Sequence, residues 1–320
     1  MEPIDKKACS NIPPIAKTKS LASILSVSEK ELLDVSNNVD NLWRAGKLLH
    51  KKNGDPRPTL DAKPRLKNIH EQIKNRILKQ AYYPPYLLGG IEDTLSPRDY
   101  KRHADMHSGQ AIVFNEDVKD FFPSSSCKVV HDIWQHLFHC TPETATLLTT
   151  LTTLNGSLPQ GWKTSGYLAN LVFWDVEPLL VKNLSGHDFF YSRFMDDITV
   201  SSKTRISSSH KTIVVKEIYN MLFSKGYTPK RSKHQIITNR ERMEVIGLTV
   251  NSNKTSLPKD EQNNIRAAVH KCECHAKDDR TSIAYTTLWN SVSGKVGTLT
   301  RFHPGKAKKL REKLRAIKPK

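Results

Sequence analysis

Two adjacent aspartates, Asp196 and Asp197, lie inside an apolar, β-prone run. Phe189, Phe190 and Tyr191 precede them, and Ile198, Thr199 and Val200 follow. On a regular strand the two side chains would point to opposite faces, and one would be driven into the core. A tight hairpin turn removes that conflict, because both carboxylates can then approach one site where a cation neutralises them. Hard, oxygen-seeking Mg²⁺ is the natural candidate. A third carboxylate, Asp117, follows the apolar segment Ala111–Phe114 and opens the run Asp117-Val118-Lys119-Asp120-Phe121-Phe122. An acidic residue at the end of a buried strand again suits a ligand better than surface decoration. The three carboxylates supply what a two-metal phosphoryl-transfer site requires. One ion lowers the pKa of an attacking 3′-hydroxyl, and the other stabilises the leaving pyrophosphate. The ions must sit about 3.5–4 Å apart, so rigid elements must hold the carboxylates. By itself an Asp-Asp dipeptide is usually a turn or a helix cap; pairing with the Asp117 segment is what gives it chemical meaning.

Those elements can be read from the surrounding pattern. AIVFNEDV and DFFYSRFMDDITVSS are β-type segments separated by largely helical sequence, and MEVIGLTVN reads as a further short strand. Before them, residues 21–40 read as a short helix, with Ser28 and Glu31 at capping-box spacing. Two short runs around Asn53-Gly54 give a hairpin signal rimmed with basic residues. Residues 64–80 then form a basic amphipathic pattern, with Leu66, Ile69, Ile73 and Ile77 at helical spacing. Near the end, Leu288, Val292, Val296 and Leu299 make one helical stripe, and Ala307, Leu310, Leu314 and Ile317 another. Lys306, Lys308, Lys309, Arg311, Lys313 and Arg315 surround the last stripe, as a solvated face or a phosphate-gripping one.

Composition narrows the partner. The net charge of +18 far exceeds what solubility needs and favours a polyanion, of which nucleic acid is the commonest. No run of about 18 apolar residues predicts a membrane span, and the N-terminal residues lack the apolar core of a secretory signal. Five irregularly spaced cysteines argue against a disulfide framework, and a reducing cytosol is the simplest home. Cys272-Glu273-Cys274-His275 lacks a second ligand pair and reads as helix, with Ile265, Val269 and Cys272 inward. Trp43, Tyr82, Tyr83 and Tyr86 could stack on bases, although packing is the commoner use of such residues. Ser165 lacks the glycines of a nucleophile elbow.

The motifs together resemble those of reverse transcriptases. Phe194-Met195-Asp196-Asp197 is similar to their Tyr-x-Asp-Asp box, with Phe in place of Tyr. Asp117 through Ser124 looks like the first catalytic motif as bacterial retron enzymes write it. Leu158-Pro159-Gln160-Gly161, continued by Ser165 and Leu168-Ala169-Asn170, is similar to Leu-Pro-Gln-Gly…Ser-Pro-x-Leu-Ala-Asn, with Gly166 where Pro is usual. Val245-Ile246-Gly247-Leu248 matches the short strand after the palm, and Arg57 and Leu66-Lys67 sit at the spacing of a fingers motif. The order is the family's from about Arg57 to Asn251, and weaker through the tail. Retron enzymes carry Asn-Ala-x-x-His before the first motif, where this chain has His103-Ala104-Asp105-Met106-His107. They carry Val-Thr-Gly where it has Val245-Ile246-Gly247. The resemblance therefore points to a retron-like, defence-associated bacterial enzyme.

What the resemblance implies is an α+β right-hand polymerase: fingers, a palm with a small antiparallel sheet, and a helical thumb. It implies an N-terminal helical extension over 1–40, fingers over 41–110, palm over 111–255 and thumb over 256–320. Asp117, Asp196 and Asp197, with the main chain of Val118, would hold two Mg²⁺, for which Mn²⁺ can substitute. Lys233 would protonate pyrophosphate. Arg57, Asp120, Phe121, Phe122, Gln160 and Gly161 would form the nucleotide site, with Phe122 as a steric gate against a ribose 2′-hydroxyl. Lys67, Lys306, Lys308, Lys309 and Arg311 would contact RNA or DNA. The reaction would be RNA-directed DNA synthesis from dNTPs on a structured non-coding RNA, in bacterial anti-phage defence. The expected setting is cytoplasmic and without a membrane, with a partner defence protein or a homo-oligomer. The rival expectations are a non-catalytic RNA-binding scaffold of the same fold and a retron enzyme proper making RNA-linked single-stranded DNA. An RNA-templated RNA polymerase is disfavoured by Phe122.

Overall fold

The computed structural model describes residues 6–46, 48–50, 56–57 and 59–320, with the backbone alone at 49, 50 and 57. The stretch expected to be one N-terminal helix is two, α1 (Thr18–Ile24) and α2 (Glu29–Asn37), because the chain turns at Ser26 with φ 53°. Ser28 caps α2 by accepting from the Glu31 amide at 3.1 Å. The reciprocal half of the capping box is lost because the Glu31 carboxylate turns instead to the Arg65 guanidinium, at 2.7 and 2.9 Å. A charged fork is a stronger partner than a backbone amide.

Next comes a two-stranded ribbon. β1 (Trp43–Ala45) pairs with β4 (Leu60–Ala62), and between them β2 (Leu49–His50) pairs with β3 (Pro56–Arg57). Asn53 and Gly54, the expected turn, lie outside the described residues. α3 (Pro64–Arg76) opens on a proline, whose missing N–H costs nothing at a helix start. It buries Leu66, Ile69 and Ile73. It ends earlier than the pattern suggested, and Leu78–Gln80 tighten into a 3₁₀ turn. β5 (Leu87–Leu88) and α4 (Tyr100–Asp105) follow, the latter capped by Asp99, which accepts from the Arg102 amide at 3.0 Å.

The central region runs β6 (Ile112–Asp117), α5 (Phe121–Ser124), α6 (Cys127–Asp132), α7 (Pro142–Thr152), α8 (Ser165–Leu171), α9 (Glu177–Ser185), β7 (Phe189–Phe194), β8 (Asp197–Ser202), α10 (Ser208–Ser224) and β9 (Gln235–Thr238). Its sheet has the order β5-β7-β8-β6-β9 and is antiparallel except for the short β5–β7 edge. The expected single strand in MEVIGLTVN is instead a small hairpin, β10 (Glu244–Val245) and β11 (Leu248–Thr249). Its turn residues Ile246 and Gly247 have φ of 47° and 72°, the geometry a two-residue hairpin demands. An isoleucine resists that conformation, and Asn251 holds the hairpin's base by accepting from the Met243 amide and donating to the Glu241 carbonyl.

Three helices end the chain: α11 (Lys259–Asp278), α12 (Ile283–Phe302) and α13 (Pro304–Ala316). Val292, Val296, Leu299, Ala307 and Leu314 are buried, and Cys272 faces inward as read from the sequence. These helices share a hydrophobic core with Ala104 of α4 and Val113 of β6, while the larger core joins the N-terminal helices to the central region. The architecture is α+β with a small, largely antiparallel sheet, as the motifs implied. Among the described residues, no helix is long and apolar enough to cross a membrane.

Candidate active site

The carboxylates meet because of strand register. β7 and β8 form a hairpin closed at the Phe194↔Asp197 pair, leaving Met195 and Asp196 as the turn. Met195 adopts φ 58°, so the chain reverses within two residues. On its other side β8 pairs with β6, and Asp197 lies opposite Asp117. The Val118 amide donates to the Asp196 carbonyl at 3.0 Å and closes the corner. Like charges held opposite one another repel, and here Asp117 is buried and Asp197 partly so. Burial pushes the Asp197 carboxyl up to about 6, reinforced by the charges of Asp196 and Asp117. The Asp196 carboxyl moves up through burial and the charge of Asp117. Asp117 is 3% exposed.

Lys233, in the turn before β9, donates to the Asp117 carboxylate, and its ammonium stands 4.0 Å from Asp197. The donor set is hard oxygen carrying more negative charge than one lysine offsets, which suits a divalent cation. Among the described residues, no three His, Cys, Asp or Glu side chains already converge as a metal cage. A cation would compete with the Lys233 ammonium for the Asp117 carboxylate.

The turn is held from behind by a charge that sequence reading passed over. Arg193 and Glu177 form a bidentate pair at 2.7 and 2.8 Å, with side chains 0% and 1% exposed. Tyr191 donates to the same Glu177 carboxylate at 2.6 Å. The rest of the guanidinium donates to the carbonyls of Asn170 and Met195, at 2.9 and 3.0 Å. An arginine within the buried run Phe189–Phe194 was the available signal. Asn170 donates to the carbonyls of Gly89 and Gly166, both at 2.8 Å, and so joins β5 to α8. There the backbones of Gly90 and Gly166 touch: a Cβ on Gly166 would lie 2.7 Å from the Gly90 carbonyl oxygen.

Phe122, Gln160 and Gly161 line a cavity of about 820 Å³, together with Leu60 and Asp61 of the ribbon. Two residues assigned to the nucleotide site do not line it. Phe121 is buried, packed on Phe173 and Tyr227, because the turn of α5 sends adjacent side chains to different faces. Asp120, at φ 46°, is exposed beside Lys119 and Thr228 on another surface. The Arg57 side chain lies outside the described residues. Trp43 stacks on Trp162 at 3.3 Å and 8°, and His70 flanks Trp162, so the loop after Gly161 is pinned to the ribbon. That is packing, not a free stacking platform. Lys67 is exposed and pairs with Asp61 at 3.4 Å. Lys306 donates to Gln262 at 2.8 Å, and Lys308, Lys309 and Arg311 stand exposed on α13. Ser165 is buried.

Comparison with known proteins adds an independent line. Residues 49–250 match the family model described as reverse transcriptase (RNA-dependent DNA polymerase). The Retron Se72 reverse transcriptase of Salmonella heidelberg is 34% identical over 312 residues, 97% of this chain and 81% of its own. The Retron Ec48 reverse transcriptase of Escherichia coli is 29% identical, over 96% of this chain and 77% of its own. Among solved structures, a telomerase from Candida albicans aligns with 65% of this chain and 40% of its own, at a TM-score of 0.38 and 10% identity.

Proposed function

The chain belongs to the reverse transcriptase family, and from that premise we propose that its RNA-directed DNA polymerase activity is run by Asp117, Asp196, Asp197 and Lys233. The observation that carries the assignment is the register that sets Asp117 opposite Asp197 with Asp196 in the adjoining turn. The family depends on a divalent metal ion. We assign it here as two Mg²⁺, with Mn²⁺ as a substitute, held by the three carboxylates and the Val118 carbonyl. When bound, such ions acidify the primer 3′-hydroxyl and neutralise charge on the transferring phosphate.

The chain's own groups do the rest. The 3′-oxygen attacks the α-phosphate of a dNTP as its proton passes to water, the bond to the β-phosphate breaks, and pyrophosphate leaves a DNA chain longer by one nucleotide. Lys233, displaced from Asp117, is placed to give its proton to that leaving group. Phe122, on the wall of the cavity shared with Gln160 and Gly161, excludes a 2′-hydroxyl. Much of the rate comes from holding the reactants in line on a rigid sheet.

The family reads an RNA template. By their names the relatives are retron enzymes, and on that likeness we assign a structured non-coding RNA as template and anti-phage defence as the setting. A partner protein or a second copy of the chain and a cytoplasmic location belong to the same reading. We likewise divide the chain into an extension over 1–40, fingers over 41–110, palm over 111–255 and thumb over 256–320. Phosphate contacts then fall to Lys67, Lys306, Lys308, Lys309 and Arg311.

Primer extension tests the assignment. Purified protein with Mg²⁺, an RNA template and a DNA primer should incorporate labelled dNTPs, and Asp196→Ala/Asp197→Ala should not. Equal incorporation by both would overturn it. If neither incorporates, even with RNA co-purified from the host, the non-catalytic scaffold becomes the better reading.

A further inference from the structure

Behind the carboxylates runs a chain of hydrogen bonds with a single direction, buried except at its half-buried Asn115 end. Asn115 donates to the Glu244 carbonyl at 2.7 Å, which fixes its amide and leaves Oδ1 to accept from Thr199 at 3.2 Å. Thr199 has spent its only proton, so His103 Nε2 must donate to it, at 3.1 Å. A neutral His103 then accepts at Nδ1 from Ser192, at 2.8 Å. Ser192 in turn accepts from His107 Nε2 at 2.7 Å, and His107 Nδ1 accepts from Ser201 at 2.7 Å. All of these bonds point one way, and each member between Ser201 and Asn115 both receives and gives. Burial keeps both imidazoles neutral, with His103 held down at about 3. A buried network satisfied throughout rigidifies what it joins.

Its location matters. Side chains alternate along strands, so Asn115 shares a face with Asp117, and Thr199 with Asp197. Asn115 is paired with Thr199, and Thr199 with Ser192, across three strands. The network therefore lies two residues, or about 6.6 Å, behind the carboxylates. Both histidines come from α4 and the turn that follows it. The opposite side of that segment is tied to the C-terminal helices. Arg301 of α12 pairs with Asp99, at the start of α4, and lies 5.1 Å over the Tyr100 ring. Thr255, in the segment that leads into α11, donates to Asp105 at 2.6 Å.

We propose that α4 is a coupling element between the C-terminal helices and the aspartate turn, with His103 and His107 as positioning residues for polymerisation. This rests on the polymerase reading above. A shift of α12, part of the proposed thumb, pulls on Asp99 and Tyr100 through Arg301. The same rigid helix turn carries the imidazoles that set the β7–β8 hairpin against β6. Ala104, Val113 and α12 share one hydrophobic core, which gives such a shift a second route to β6.

Ser192→Ala is the decisive variant, since it deletes one hydroxyl and leaves both rings in place. Thr199→Val is its shape-preserving second. With folding checked by thermal melting, each should lower kcat about tenfold while the KM for dNTP stays within about twofold. His103→Asn, which restores the residue of the related motif, should keep more of the activity than His103→Ala. Arg301→Met should leave kcat on a short template nearly unchanged, but shorten products made in one binding event. Combined with Ser192→Ala, it should shorten them less than the two separate effects predict. Folded Ser192→Ala and Thr199→Val proteins with wild-type kcat would overturn the positioning role. Additive product-length effects would overturn the coupling. An inactive wild type would instead count against the polymerase reading.

Discussion

Arg193 donates to the carbonyl of Met195 at 3.0 Å, and Met195 is the left-handed residue that opens the turn bearing Asp196 and Asp197. The same guanidinium is locked by Glu177 and reaches the end of α8 through Asn170. Removing one partner of such a pair leaves an uncompensated buried charge and costs about 3–5 kcal/mol. Arg193→Met should therefore lower the urea midpoint sharply. Arg193→Met/Glu177→Met should recover much of that stability, but not the rate of incorporation, because the Met195 carbonyl stays unheld. Recovery of both would make the pair purely structural.

The carboxylates work against the metal-free fold. Asp197 titrates at about 6 in the folded protein, above its ordinary value, so its ionised form destabilises the fold at neutral pH. The side chain is 38% exposed, and water screens much of the effect. Asp197→Asn should gain about 1 kcal/mol in metal-free thermal melting while abolishing incorporation. A loss of stability would mean that the bond from Lys233 outweighs the repulsion.

Phe122 is the gate in the proposed nucleotide site, on the wall of the cavity it shares with Gln160 and Gly161. Phe122→Ala should narrow the preference for dNTPs over ribonucleotides by about one to two orders of magnitude, read as the ratio of kcat/KM values. An unchanged ratio would move the gate elsewhere on the cavity wall.

Three buried imidazoles set an acid limit. Burial holds His70 down at about 4 and His103 at about 3, with His107 lower than usual as well. The unfolded chain takes up protons below about 6.5 that the folded chain refuses, so stability is full at neutral pH and falls as pH drops. At pH 5 His70 and His103 each cost about 2 kcal/mol, and His107 acts in the same direction. Denaturant midpoints at pH 7 and pH 5 should differ accordingly, and equal midpoints would mean that water reaches the rings.

The parts of this molecule legible in its sequence are those governed by local pattern. The apolar runs flanking Asp196 and Asp197 could hold both carboxylates at one site only through a turn, and the hairpin follows. The helical spacing of Leu66, Ile69 and Ile73 placed α3 for the same reason. Partners distant in the chain were not legible. Nothing near Glu31 announces Arg65, nothing near Arg193 announces Glu177, and no periodicity predicts that Trp43 would stack on Trp162. Ile246 was misread because its β-branched side chain favours strand, whereas the Asn251 bonds to Met243 and Glu241 hold a turn there.

The contact between Gly90 and Gly166 also carries a consequence for the sequence. Where this chain has Gly166, related motifs place proline, whose ring would enter the space that the Gly90 backbone fills. An isolated Gly166→Pro change would therefore have to force β5 and α8 apart, so the shape of this seam, not the chemistry beside it, dictates the glycine.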